Sequence, residues 1–101
     1  MTVRVRPEAR ADIFTAAHWY EDREPGLGMA FIAEVDRTFQ RIELGPERYT
    51  LIHRQLRRAL VRRFPYAIYF GLETTDTVIF AVLHQRRDPK ILDERVDHPN
   101  G

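Results

Sequence analysis

The sequence predicts an α+β domain with the order β-α-α-β-β-β, an N-terminal helical hairpin packed on an antiparallel sheet. Three observations predict it. Apolar residues recur at helical spacing through the first half of the chain. The period then shortens to that of strands, and the last strands are joined by connections of only a few residues. At 101 residues the chain can build one modest core, so a single domain is expected over residues 1–95, with a flexible tail over 96–101.

The first strand is read from TVRVR, where apolar and basic residues alternate ahead of Pro7. Pro7 suits the first turn of a helix, where no N–H is needed, and Glu8 is favourable at the positive end of its dipole. Ala9, Ile13, Ala16, Ala17 and Tyr20 form the apolar stripe, with Arg10, Asp12, Glu21 and Asp22 mainly off it. Pro25-Gly26 ends this helix. The second helix carries Phe31, Ile32, Val35, Phe39 and Ile42 on one face and Glu34, Asp36, Arg37 and Arg41 elsewhere, and stops at Gly45-Pro46. So short a link makes the pair an antiparallel hairpin.

A loop over residues 46–54 precedes the change of period. Leu56, Arg58, Leu60, Arg62 and Phe64 then alternate with Arg57, Ala59, Val61 and Arg63, predicting a strand that reaches Phe64 before Pro65 breaks its pairing. YAIYFGL makes the next strand and ETTD a turn. Residues 77–83 make the last strand, apolar on both faces and so expected to be flanked by neighbours. Residues 88–95 predict a closing turn of helix. There is no repeat, low-complexity tract or linker.

Several function classes are excluded early. With no cysteine there is neither a disulfide framework nor thiolate chemistry, which suits a reducing compartment. The opening MTVRVRPEAR lacks the apolar core of a secretory signal, and no apolar run approaches the ~18–20 residues of a membrane span. A cytoplasmic, soluble protein without membrane association is expected.

The net charge of +1 hides a strong asymmetry. Residues 8–47 hold nine acids against four arginines, a balance of −5, whereas residues 48–63 hold six arginines and no acid. Guanidinium binds carboxylate and phosphate bidentately. The group Arg48, Arg54, Arg57, Arg58, Arg62 and Arg63 is therefore either a solvated, charged strand edge or an anion-binding surface for phosphates or an acidic peptide. Alternation puts Arg58 and Arg62 on one face, Arg57 and Arg63 on the other.

The second candidate is the strand exit His84, Gln85, Arg86 and Arg87. If His84 continues the alternation of Val78, Phe80 and Val82, Arg86 lies on its side of the sheet, and an adjacent strand brings Arg62 or Arg63 near. Such a histidine is either a structural, hydrogen-bonded residue or a general base beside arginines that hold a phosphate. His18, His53 and His98 carry less weight, and no metal-ligand spacing or cofactor fingerprint is present. Glu8 and Asp12, and Glu21 and Asp22, read as solvated helix residues. Tyr20 is assigned to the core and Trp19 to a protein-contact surface.

The stretches RPEARADI, GLGMAFIAEVDRTFQRI, RRALVRRFPYAIYF and VIFAVLHQRRDP resemble the RelE/ParE superfamily of type II toxin–antitoxin toxins, which includes plasmid stabilisation proteins. The resemblance spans residues 3–92, and its most specific parts are FPYAIYF and AVLHQRRDP. It implies a bacterial toxin with a cognate antitoxin, whose disordered segment folds over the toxin as helix and strand. Two activities exist in the superfamily. RelE-like members cut mRNA on the ribosome; ParE-like members poison DNA gyrase.

Many RelE-like enzymes place an arginine at the start of the third strand and a histidine or tyrosine near the chain end. Here that strand starts at Pro65-Tyr66, and after Arg87 there is no tyrosine and only His98. The forms FPYAIYF and LHQRRDP resemble the ParE-like branch, which is the reading favoured. On it nothing is catalytic and no cofactor is needed: Arg62, Arg63, His84, Arg86 and Arg87 bind the gyrase target, and Arg48, Arg54, Arg57 and Arg58 bind the antitoxin. The alternatives are an mRNA endoribonuclease, with His84 as base and Arg62, Arg63 and Arg86 on phosphate at the ribosome, and an inactive homologue that only binds antitoxin. A homodimer when free and a heterotetramer with antitoxin are the assemblies considered.

Overall fold

The computed structural model describes residues 2–97. Strand β1 (Thr2–Val5) leads into helices α1 (Pro7–Arg23) and α2 (Leu27–Leu44). A 3₁₀ turn (Pro46–Arg48) precedes β2 (Leu51–His53), β3 (Leu56–Leu60), β4 (Tyr66–Leu72), β5 (Asp76–His84) and α3 (Lys90–Asp97). The expected order holds, with additions. β2 lies inside the stretch expected to be loop. Val96 and Asp97, expected in the tail, belong to α3, while residues 98–101, including His98, lie outside the described residues.

Pro7 occupies the first turn of α1 behind an extended Arg6, and Ala9, Ile13, Ala16 and Ala17 bury the predicted stripe. The hairpin turn is held by one side chain. Glu21 accepts hydrogen bonds from the backbone N–H groups of Gly26 and Gly28, each at 2.9 Å, satisfying donors that the start of α2 leaves without a helical partner. Gly28 is required there for space, because a Cβ at that position would stand 2.6 Å from the carbonyl oxygen of Ala17. Phe31, Val35 and Ile42 of α2 pack against Ile68, Phe70, Ile79 and Val82 of the sheet. Glu34, expected off the packed face, is buried and pairs with Arg37 at 3.1 Å.

The sheet order is β1-β5-β4-β3-β2. Residues 51–84 form the expected antiparallel meander, but β1 runs parallel to β5, with Arg4 opposite Val78, so the whole sheet is mixed. Helices α1 and α2 and three strands lie between the two partners, well beyond the dozen residues that a parallel connection needs. The reverse face of the sheet is also covered. Leu92 of α3 is fully buried against Leu56, Ala67, Tyr69, Ala81 and Leu83.

Two expectations about register fail. The alternation expected to run from Leu56 to Phe64 stops at Leu60, the end of β3, and Arg62 and Arg63 sit in the connection to β4, with Arg63 at φ 72°. In β5 a bulge shifts the register opposite Tyr69 and Phe70. Phe80 is the extra residue and packs on the α3 face, while Ile79 and Val82 face the helical hairpin. The regular alternation of Val78, Phe80, Val82 and His84 is thereby broken.

Candidate functional site

Tyr66 opens β4 and His84 closes β5, and the two are register partners. The sheet therefore sets their rings 5.4 Å apart at 70°. Beyond His84 the chain turns at once: Gln85 N–H donates to Pro65 O and Arg87 N–H to His84 O, both at 2.9 Å. Arg86 N–H donates to His84 Nδ1 at 3.1 Å. That bond fixes the imidazole and leaves Nε2 without a partner among the described residues. It also takes Arg86 off the strand, so Arg86 does not share a sheet face with His84 as expected. Arg87 lines the cleft instead.

Helix α1 forms the other wall. Two adjoining cavities, of about 280 and 460 Å³, share Thr15, Ala16, Tyr66 and His84. The smaller adds Asp12 and Arg87; the larger adds Trp19, Tyr20 and Pro65. Burial, and then the negative charge of Asp12, push the Tyr66 hydroxyl above the usual phenol range, with Arg87 acting the other way. Burial raises Tyr20 as well, followed by the influence of Tyr66. Both phenols therefore stay neutral at physiological pH. Asp12 is no solvated helix residue: it accepts Val82 N–H at 2.9 Å and both guanidinium NH groups of Arg95.

The arginines of residues 48–63 divide into engaged and free. Arg57 donates to the carbonyls of Tyr49 (2.7 Å) and Glu47 (3.3 Å), clipping the preceding loop to β3. Arg54 reaches Asp97 at 3.3 Å and Asp93 at 3.5 Å, tying the β2–β3 turn to α3. Both were expected to bind a partner, and both hold the fold together. Arg58 is exposed and has no side-chain partner among the described residues. Arg62 lines a cavity of about 540 Å³ with Arg41, Arg48, Tyr49, Leu60 and Val61. Among the described residues no carboxylate lines it. Arg41 donates to Thr38 Oγ1 at 3.0 Å and Arg48 to Gly45 O at 3.4 Å.

Arg62 thus joins Arg48 and not His84, and Arg63 lies 5.5 Å from the centre of the Phe64 ring. Sequence reasoning missed Thr15, Tyr66, Arg41 and Tyr49. Tyr66 was readable only as a strand residue, because its role comes from standing opposite His84. Asp12 had a fainter signal: it precedes Ala16 by one helical turn, at the border of the buried stripe. Among the described residues no cluster of His, Asp and Glu has the arrangement of a metal site, and no helix is long and apolar enough to cross a membrane.

Residues 3–89 match the family model described as ParE toxin of type II toxin-antitoxin system, parDE. The chain belongs to the ParE toxin family. A solved structure titled "Chromosomal ParDE TA system from P. aeruginosa" superposes with a TM-score of 0.76 at 12% identity, covering 83% of this chain and 95% of that one. At such identity the likeness speaks for the fold. A search of curated proteins returned no match. The ParE match takes in the hairpin, the sheet and the turn after His84, and ends before α3 begins at Lys90.

Proposed function

We propose that this ParE-family chain inhibits DNA gyrase by holding its cleaved DNA complex, and that a cognate antitoxin neutralises it. The family match over residues 3–89 carries this reading. The geometry of the cations supports recognition over catalysis. A ribonuclease needs a base and several cations converging on one phosphate, whereas of the arginines expected beside His84 only Arg87 shares its cavity: Arg86 has left the strand, Arg62 lines another cavity and Arg63 leans on Phe64. Arg86 and Arg87 stand on the exposed turn, and neither guanidinium has an ion pair among the described residues. On this reading His84, Arg86 and Arg87 meet the target. Arg48 and Arg58, with Arg41 and Arg62, meet an acidic antitoxin segment that folds as it binds.

The test uses purified chain, freed of antitoxin, in two parallel assays: gyrase supercoiling with trapped DNA cleavage, and mRNA cutting on programmed ribosomes. Gyrase inhibition with intact mRNA is the expected result. Cut mRNA with unaffected gyrase would overturn the proposal and make His84 the candidate base of an endoribonuclease. Silence in both, from a chain that still binds antitoxin when it is added back, would mark an inactive homologue.

A further inference from the structure

We infer that the cleft between α1 and the β4–β5 end binds one unpaired nucleotide, its base against the aromatic wall and its phosphate on Arg87. The inference rests on the proposed target site and gives it a ligand class. Three features converge. The wall is aromatic: Trp19, Tyr20 and Tyr66 stand along the larger cavity, with Trp19 and Tyr20 5.1 Å apart and Tyr20 and Tyr66 6.1 Å apart. Trp19 is half exposed, and the Arg23 guanidinium lies 3.5 Å from its ring centre, adding a cation to the aromatic wall. At about 460 Å³ the cavity falls within the roughly 300–1,000 Å³ of small-molecule sites.

The second feature is the polar rim. Arg87 has no counter-ion among the described residues, and because His84 Nδ1 accepts the Arg86 N–H, its Nε2 carries the proton and is free to donate. Thr15 adds a hydroxyl. The third is rigidity: Tyr66 is wedged against Phe31 (5.0 Å) and His84 (5.4 Å), and the His84 ring is fixed by Arg86 N–H. An aromatic platform beside an unpaired cation is the arrangement that takes a single-stranded base and its phosphate. A duplex cannot present a base to such a cleft without first unstacking it.

The test measures fluorescence anisotropy of labelled short oligothymidylate, oligouridylate and a duplex of equal length with the purified chain. Single strands should bind at least about tenfold more tightly than the duplex. Trp19→Ala and Arg87→Ala should each weaken that binding about tenfold, the loss of one stacked base or one phosphate contact. Arg10→Ala, on exposed α1 surface, should leave it within about twofold. Preference between the thymidylate and uridylate strands assigns the source to DNA or RNA. Equal binding of duplex and single strand, or indifference to both variants, overturns the inference. Failure to bind any oligonucleotide while Trp19→Ala and Arg87→Ala abolish gyrase inhibition also overturns it, placing a protein side chain in the cleft and leaving the gyrase reading intact. Single-strand binding that follows the variants in a chain without effect on gyrase would sustain the inference and sink that reading.

Discussion

Arg95 grips both carboxylate oxygens of Asp12, at 2.8 and 2.9 Å, across 83 residues of chain. The pair is mostly shielded, with side chains 13% and 14% exposed, and each partner has further work: Arg95 also donates to Phe80 O, and Asp12 also accepts Val82 N–H. Arg6 in turn donates to Arg95 O at 2.9 Å and stacks 4.5 Å from the Phe80 ring centre. The two helices are thus joined through the bulged strand between them.

Breaking this pair from one side strands a shielded charge. Arg95→Ala is expected to destabilise the fold by about 2–4 kcal/mol, near the lower range for buried pairs. The double variant Asp12→Leu, Arg95→Met should recover part of the loss. Urea unfolding of the three proteins checks this; a single variant as stable as the parent would mean that Leu92 and the Arg54 contacts hold α3 without the pair.

Gly28→Ala should cost about 2–3 kcal/mol, because the new methyl meets the backbone oxygen of Ala17, which cannot swing away. Gly26→Ala has open space around it but a φ of 90°, so its expected cost is the smaller 1–2 kcal/mol, roughly, of a left-handed residue. Thermal unfolding of both variants should rank them in that order.

Two carboxylates make the fold sensitive to acid. The N–H groups of Gly26 and then Gly28 hold Glu21 below its ordinary value, and the hydrogen bond from His53, at 2.7 Å, is the main cause holding Asp93 below its own. A depressed folded-state pKa stabilises above the unfolded values of 4.5 and 3.8, and that contribution is lost as pH falls through the folded-state values. The melting temperature should therefore drop on acidification below about pH 5. Glu21→Gln and Asp93→Asn should each flatten that acid limb, as measured by melting temperature against pH.

The antitoxin complex should weaken as sodium chloride is raised, since exposed arginines lose reach as the Debye length contracts. Arg58→Ala and Arg62→Ala are each expected to cost up to about fivefold in affinity, the worth of one exposed ion pair, mainly through slower association. Arg57→Ala should instead act through stability, because its partners are the carbonyls of Glu47 and Tyr49. A dissociation constant indifferent to salt would remove the arginines from the interface.

What the sequence made legible was whatever depends on neighbours along the chain. Pro7, the Ala9–Ile13–Ala16–Ala17 stripe and the Pro25-Gly26 and Gly45-Pro46 stops defined the hairpin closely. What it concealed depends on neighbours across the sheet. Phe80 is apolar on either face, so periodicity gave no sign of the bulge that turns it toward α3. Arg54 and Arg57 resemble Arg58 in type and spacing, and only the positions of Asp93 and of the Tyr49 carbonyl separate a clip from a free cation. For the same reason the cleft was half seen: its histidine and arginine stood out and Trp19 was given to a protein-contact surface, but Tyr20 passed for core and Tyr66 for an ordinary strand residue.

The parallel pairing of β1 with β5 has a consequence for biosynthesis. Thr2 faces Asp76 and Val5 faces Ile79, so the first strand made must wait for the last. Helices α1 and α2 can form early from local contacts, but the sheet beneath them is incomplete until β5 has left the ribosome. During most of its own translation the chain is therefore a hairpin with an exposed apolar face. That interval is when a chaperone would find it, and a polypeptide stalled before residue 76 would carry the hairpin without ever acquiring the cleft.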